Sequence, residues 1–116
     1  MITVYQIRLT DVDIKKANAE GFDASPVVSA KTSMMLGARK WSEDYVKFYT
    51  PVYQVDTENL NQAFESTNLW DDDLVKTVSR GSSSSVGDIF VKDGNCYIVD
   101  NFGFVAIGKY EMEGVL

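Results

Sequence analysis

Residues 82–108 read SSSSVGDIFVKDGNCYIVDNFGFVAIG. This run reads as three consecutive β-strands with two tight connections. Ile89-Phe90-Val91, Tyr97-Ile98-Val99 and Phe104-Val105-Ala106-Ile107 are each rich in residues that favour a pleated, half-buried surface. Asp93-Gly94 separates the first two. Asp-Gly between apolar runs signals a two-residue hairpin, because a type I′ turn needs positive φ at both central positions. With that loop, Lys92 faces Asn95, Val91 faces Cys96, Phe90 faces Tyr97 and Ile89 faces Ile98. Ile89, Val91, Cys96 and Ile98 then share one face, and Phe90 and Tyr97 the other. Both faces carry bulk, so helices or a second sheet are expected over each. The second connection, Asp100-Asn101-Phe102-Gly103, is again built of turn-forming residues.

Upstream, the chain reads as helices and one edge strand laid against this element. Ile2 to Leu9 is predicted as a strand, with Val4, Gln6 and Arg8 on one side and Tyr5, Ile7 and Leu9 on the other. Thr10 with Asp13 forms a capping-box pattern, and Gly21 a stop, so Asp11 to Glu20 is a predicted helix presenting Val12, Ile14 and Ala17 inward. Ser25-Pro26 starts a second helix, with Val27, Ala30, Met34, Met35, Ala38 and Trp41 at helical spacing and Gly37 as an early stop. A helical turn within Trp41 to Phe48 precedes a strand at about Tyr49 to Val55. Pro51 has no N–H, so it places that strand at an edge or beside a bulge. Thr57 is read as the cap of a helix carrying Leu60, Ala63, Phe64 and Thr67 on one face. Trp70 to Val75 reads as a turn with a short helical piece, Ser79 to Ser85 as a flexible loop, and 111–116 as a tail. The expectation is one α+β domain over residues 1–116: a mostly antiparallel sheet, a C-terminal three-strand meander, and two to four short helices packed on it.

Composition narrows the function classes. The formal net charge is −6, with 17 acidic against 11 basic residues. That disfavours duplex nucleic acid as a partner. Mimicry of nucleic acid would need the acidic residues gathered together, and they are scattered. No apolar run approaches the ~20 residues that span a bilayer, so no membrane partner is expected. The start of the chain lacks a signal-peptide pattern. The single cysteine excludes an internal disulfide and suits a reducing cytoplasm.

There is no histidine, which removes the commonest general base at neutral pH and a favoured zinc ligand. Cys96 then has no histidine to activate it and reads as a small buried hydrophobe. No catalytic residue, metal ligand or cofactor is assigned. Asp71-Asp72-Asp73 reads as a solvated acidic cluster, since three consecutive carboxylates do not converge on one ion without a shaped loop. Two candidate sites remain. Trp41, Tyr45, Tyr49 and Tyr53, with Phe48 among them, form an aromatic segment suited to a protein partner, unless alternate members fill the core. Arg80, Ser82, Ser83 and Ser84 form a loop whose amides and hydroxyls could cradle a phosphate, although the spacing of a P-loop is missing. Gly87-Asp88 reads as a bulge with a local hydrogen bond rather than an acid catalyst.

Ser85-Val86-Gly87-Asp88-Ile89, the hairpin, and Tyr97-Ile98-Val99-Asp100-Asn101-Phe102-Gly103-Phe104 resemble the YodL-like domain family, with its S-V-x-D-V-V and Y-x-V-D-x-x-G-F elements. Val4-Tyr5-Gln6 resembles that family's opening strand. Val52-Tyr53 and the Leu60 to Asn68 segment resemble its middle strand and helix. The resemblance spans most of the chain and is sharp over the last third; Cys96 and the four-serine run depart from it. The family occurs in phages and mobile elements, often within antirestriction-type proteins, and has no activity to carry over to particular residues. The resemblance therefore implies a small phage or mobile-element protein that binds a host protein in the host cytoplasm, in host takeover or anti-defence. The alternatives are a nucleotide sponge using the Arg80–Ser85 loop, and a metal-dependent enzyme or accessory.

Overall fold

The computed structural model describes residues 1–21, 24–71 and 73–110. Its frame is a six-stranded antiparallel sheet in the order β3-β2-β1-β4-β5-β6. The strands are β1 (Ile2–Ile7), β2 (Tyr49–Val55), β3 (Val75–Thr77), β4 (Ile89–Lys92), β5 (Asn95–Val99) and β6 (Phe104–Gly108). The helices are α1 (Asp11–Glu20), α2 (Pro26–Met34) and α3 (Leu60–Leu69), with 3-10 segments at Ala38–Lys40 and Glu43–Phe48. The class is α+β, and β4 to β6 form the expected meander. The 111–116 tail lies outside the described residues.

The hairpin register is the one its turn dictates: Ile89↔Ile98, Phe90↔Tyr97, Val91↔Cys96 and Lys92↔Asn95. Asp93 and Gly94 both have positive φ, 50° and 80°, as a type I′ turn requires. One face of the sheet carries Tyr5, Ile7, Tyr49, Ile89, Cys96 and Ile98, packed with Ala30 and Met34 of α2. The other carries Ile2, Val4, Val52, Tyr53, Val55, Phe90 and Val99, packed with Ala63 of α3. Burying both faces explains the bulk on both sides of the hairpin. Ile89, Phe90 and Ile98 are fully buried, each stabilising by about 1.5–3 kcal/mol.

Several expectations need correction. The Pro51 strand β2 is not an edge strand, since it pairs with β1 on one side and β3 on the other, and β1 is central, between β2 and β4. Strand order is a tertiary property, and an apolar run buried on both faces belongs in the middle. Residues 75–77 form the edge strand β3, paired with Tyr53 to Val55; the sequence reading ends a turn with a short helical piece at Val75 and assigns Lys76 and Thr77 to no element. Pro51 lies beside a bulge: Val4 pairs with Tyr53 and Tyr5 with Pro51, leaving Val52 as the extra residue. That is how adjacent Val52 and Tyr53 both join one core cluster. In α1 only Ala17 is buried; Val12 and Ile14 are exposed. The capping box of Thr10 and Asp13 is formed, and the Thr10 N–H and hydroxyl hold the Asp13 carboxyl below its ordinary range. Asn59 rather than Thr57 caps α3: its Oδ1 accepts from Gln62 N–H at 3.0 Å, while Thr57 Oγ1 accepts from Asn59 N–H at 3.1 Å.

Candidate functional site

The aromatic segment divides. Tyr49 and Tyr53 sit on β2 with their rings in opposite core clusters, 1 % and 0 % exposed. Both are therefore core residues rather than partner-facing ones, the alternative that the sequence left open: the sheet is covered on both faces, and the extra residue Val52 between them turns Tyr53 to the face opposite Tyr49. Trp41 and Tyr45 are half-buried. Ser42 Oγ accepts from Asp44 N–H at 3.3 Å and so starts the 3-10 turn that carries Tyr45 and Phe48. Trp41 is held at the centre of an aromatic cluster, with ring centroids 6.4 Å from Tyr45, 6.1 Å from Tyr49 and 5.5 Å from Tyr110. Its indole Nε1–H donates to Tyr110 Oη at 3.4 Å.

Between this turn and α2 lies an open groove of about 350 Å³. Tyr45 and Phe48 form one wall; Pro26, Ser29 and Ala30 form the other, with Asp44 and Lys47 also lining it. The groove exists because α2 presents small residues at i, i+3 and i+4, spacing that puts all three on one face. Lys47 Nζ lies 5.3 Å from the Phe48 ring centroid, a cation–π distance. An aromatic wall, a floor of small residues and charges of both signs suit a peptide or protein side chain. The sequence reading has Pro26 as a helix start and Ala30 as part of the helix's apolar spacing, and does not single out Ser29; the spacing of the three was the signal that a groove could open there.

The serine loop is a tied structure rather than a flexible connection. The Gln6 side chain, 1 % exposed, donates from Nε2 to Ser82 O at 2.9 Å and to Asp88 Oδ2 at 3.0 Å. Its Oε1 accepts from Ser82 N–H at 3.0 Å. Tyr53 Oη–H also donates to Ser82 O, at 2.9 Å. Ser84 is buried, with its hydroxyl 2.5 Å from that of Thr67 on α3. Ser85 N–H donates to Asp88 Oδ2 at 3.0 Å. Two amides that a phosphate would need, those of Ser82 and Ser85, are therefore spent on Gln6 and Asp88. Of the residues named for that reading, Arg80, Ser82 and Ser83 are exposed and Ser84 is not.

Asp88 is the centre of this network, 2 % exposed. Burial raises its carboxyl from an ordinary 3.8 to about 6, against the opposing pull of the Ser85 N–H, Lys31, Gln6 and Arg8. Beside it, Tyr49 Oη–H donates to Gly87 O at 2.5 Å, and burial and the Asp88 charge push that phenol well above its ordinary range. Asp88 does make the expected local hydrogen bond, but its longer-range partner Gln6 was missed. The available signal was a glutamine on the same face of β1 as Val4, since a polar group on a core face needs a buried partner. A carboxylate beneath the loop disfavours a phosphate above it.

Among the described residues, no three His, Cys, Asp or Glu side chains gather where they could share a metal ion. Asp72 lies outside those residues; Asp71 Oδ1 accepts from Asp73 N–H at 3.2 Å in a local turn. Cys96 is buried, and burial pushes its thiol up. No helix among the described residues is long and apolar enough to cross a membrane. No protein-family model, curated protein or solved structure matches the chain.

Proposed function

We propose that this chain is a small non-enzymatic binding protein that takes a protein partner in the groove between α2 and the Glu43–Phe48 turn. The supporting observation is the groove itself: two half-buried aromatic side chains, Tyr45 and Phe48, line it together with Pro26, Ser29 and Ala30, and Trp41 packs edge-on to Tyr45. Aromatic side chains in such surroundings are the usual anchors of an interface. The buried Gln6–Asp88–Ser82 network serves the scaffold in this reading, holding the 79–88 segment against β1. The resemblance to YodL-like domains supports the further reading of a phage or mobile-element protein whose partner is a host cytoplasmic protein of host physiology or defence.

The test is a photo-crosslink. Benzoylphenylalanine in place of Tyr45 should capture one discrete host protein in lysate, while the same probe in place of Arg80 captures none. A discrete product from position 80 alone, or one released by added nucleotide, would move the sponge reading ahead.

A further inference from the structure

The two edges of the sheet are unlike. β3 is three residues long, contains Lys76 and follows Asp71 and Asp73. Brevity and charge are the usual protections of an edge. β6 is five residues long, and no charged residue occurs from Asn101 to Gly108. Val105 is 39 % exposed and Phe102, in the turn that feeds β6, is 97 % exposed. Among the described residues, its protection is a bulge at the far end, where Cys96 pairs with Gly108 and Tyr97 with Ala106, leaving Ile107 extra.

The direction of the β6 amides follows from β5. Val99 N–H donates to Asp88 O, and Val99 O accepts from Gly87 N–H. Val99 therefore spends both backbone groups toward the β4 side. Its partner Phe104 is then in a non-hydrogen-bonded pair, with its N–H and C=O aimed away from the sheet. Two residues on, Ala106 opposite Tyr97 repeats this, while Val105 bonds inward to Ile98. Among the described residues, Phe104 and Ala106 thus present two donors and two acceptors at an uncharged edge.

This arrangement is self-complementary. A second β6, antiparallel about a two-fold axis at Val105, places Phe104 opposite Ala106 of the second copy and Ala106 opposite its Phe104. All four outward amide groups of each copy are then paired, and the two Val105 side chains meet at the close spacing of a non-hydrogen-bonded pair. Each copy carries a net charge of −6, so two copies approach at least electrostatic cost along a neutral strip. We propose that the chain self-associates through β6, joining two sheets into one continuous twelve-stranded sheet.

Sedimentation equilibrium on the full chain, from about 1 to 200 μM, should show a reversible monomer–dimer equilibrium, and Val105→Lys or Ala106→Pro should weaken it by roughly tenfold or more. Ala106→Pro removes an outward N–H and no bond to β5. Amide exchange of the unmodified protein supplies a readout independent of any variant's folding: the Phe104 and Ala106 amides should gain protection as concentration rises, and the Val105 amide should not. A monomer at every concentration, a dimer that survives both substitutions, or unchanged protection at Phe104 and Ala106 overturns the proposal.

Discussion

Gly87 and Gly94 offer a comparison in which conformation is nearly matched and surroundings differ. Their φ angles are +97° and +80°. Nothing lies within 4 Å of a Cβ built on Gly94, whereas one on Gly87 would stand 2.7 Å from the Met34 carbonyl oxygen and 2.9 Å from its carbon. That oxygen cannot swing aside freely, because it accepts from Gly37 N–H at 3.1 Å at the end of α2. Gly94→Ala should therefore lose only the left-handed backbone preference, about 1–2 kcal/mol. Gly87→Ala should lose that and add a steric term of about 1–3 kcal/mol for forcing β4 and α2 apart. The expected gap between the variants is ~2 kcal/mol, which at a urea slope of about 1–3 kcal/mol/M separates their midpoints by about 1 M. Equal midpoints would refute the claim that the α2 terminus packs directly on the Gly87 backbone.

Asp88 carries a pH signature. Its folded carboxyl titrates near 6 against an ordinary 3.8, so the folded state holds the extra proton between those values. Its contribution is then fully present below pH 3.8 and is lost as pH rises through 6, an amount of about 3 kcal/mol. Unfolding free energies of the unmodified protein minus those of Asp88→Asn should fall by that order between pH 4 and 7; a flat difference would mean Asp88 is solvated. Cys96, 0 % exposed, should react slowly with a thiol reagent in the folded protein and rapidly in denaturant, and equal rates would contradict the packing of β5.

How much of this was legible follows from where each feature is encoded. The β4–β5 hairpin was readable to the residue because Asp93-Gly94 sets both turn and register locally. The Tyr49–Val55 strand was readable too, and Pro51 narrowed its place to an edge or a bulge because a missing N–H is a local fact; which of the two holds depends on β3 pairing with it. The central place of β1 was not readable, since it depends on β4 arriving from the far end of the chain. β3 escaped because three residues carry no period, and Trp70 with the aspartates beside it resembles a helical turn. The buried network joins Gln6 to Asp88, 82 positions apart, and no local pattern pairs them. For the aromatic segment, the sequence left open whether alternate members fill the core, because facing toward core or solvent is settled by the helices covering both sheet faces and by the bulge at Val52.

The central claim is that the groove, not the serine loop, receives the partner. The most direct test is quantitative affinity capture from host lysate with the unmodified chain, Tyr45→Asp, Ser29→Trp and Arg80→Ala side by side, each checked for its thermal midpoint. Tyr45→Asp places a charge in one wall and Ser29→Trp fills the groove from the other, so both should lose the captured partner by roughly tenfold or more while Arg80→Ala retains it. Retention of the partner by the two groove variants, with loss on Arg80→Ala, would contradict the account.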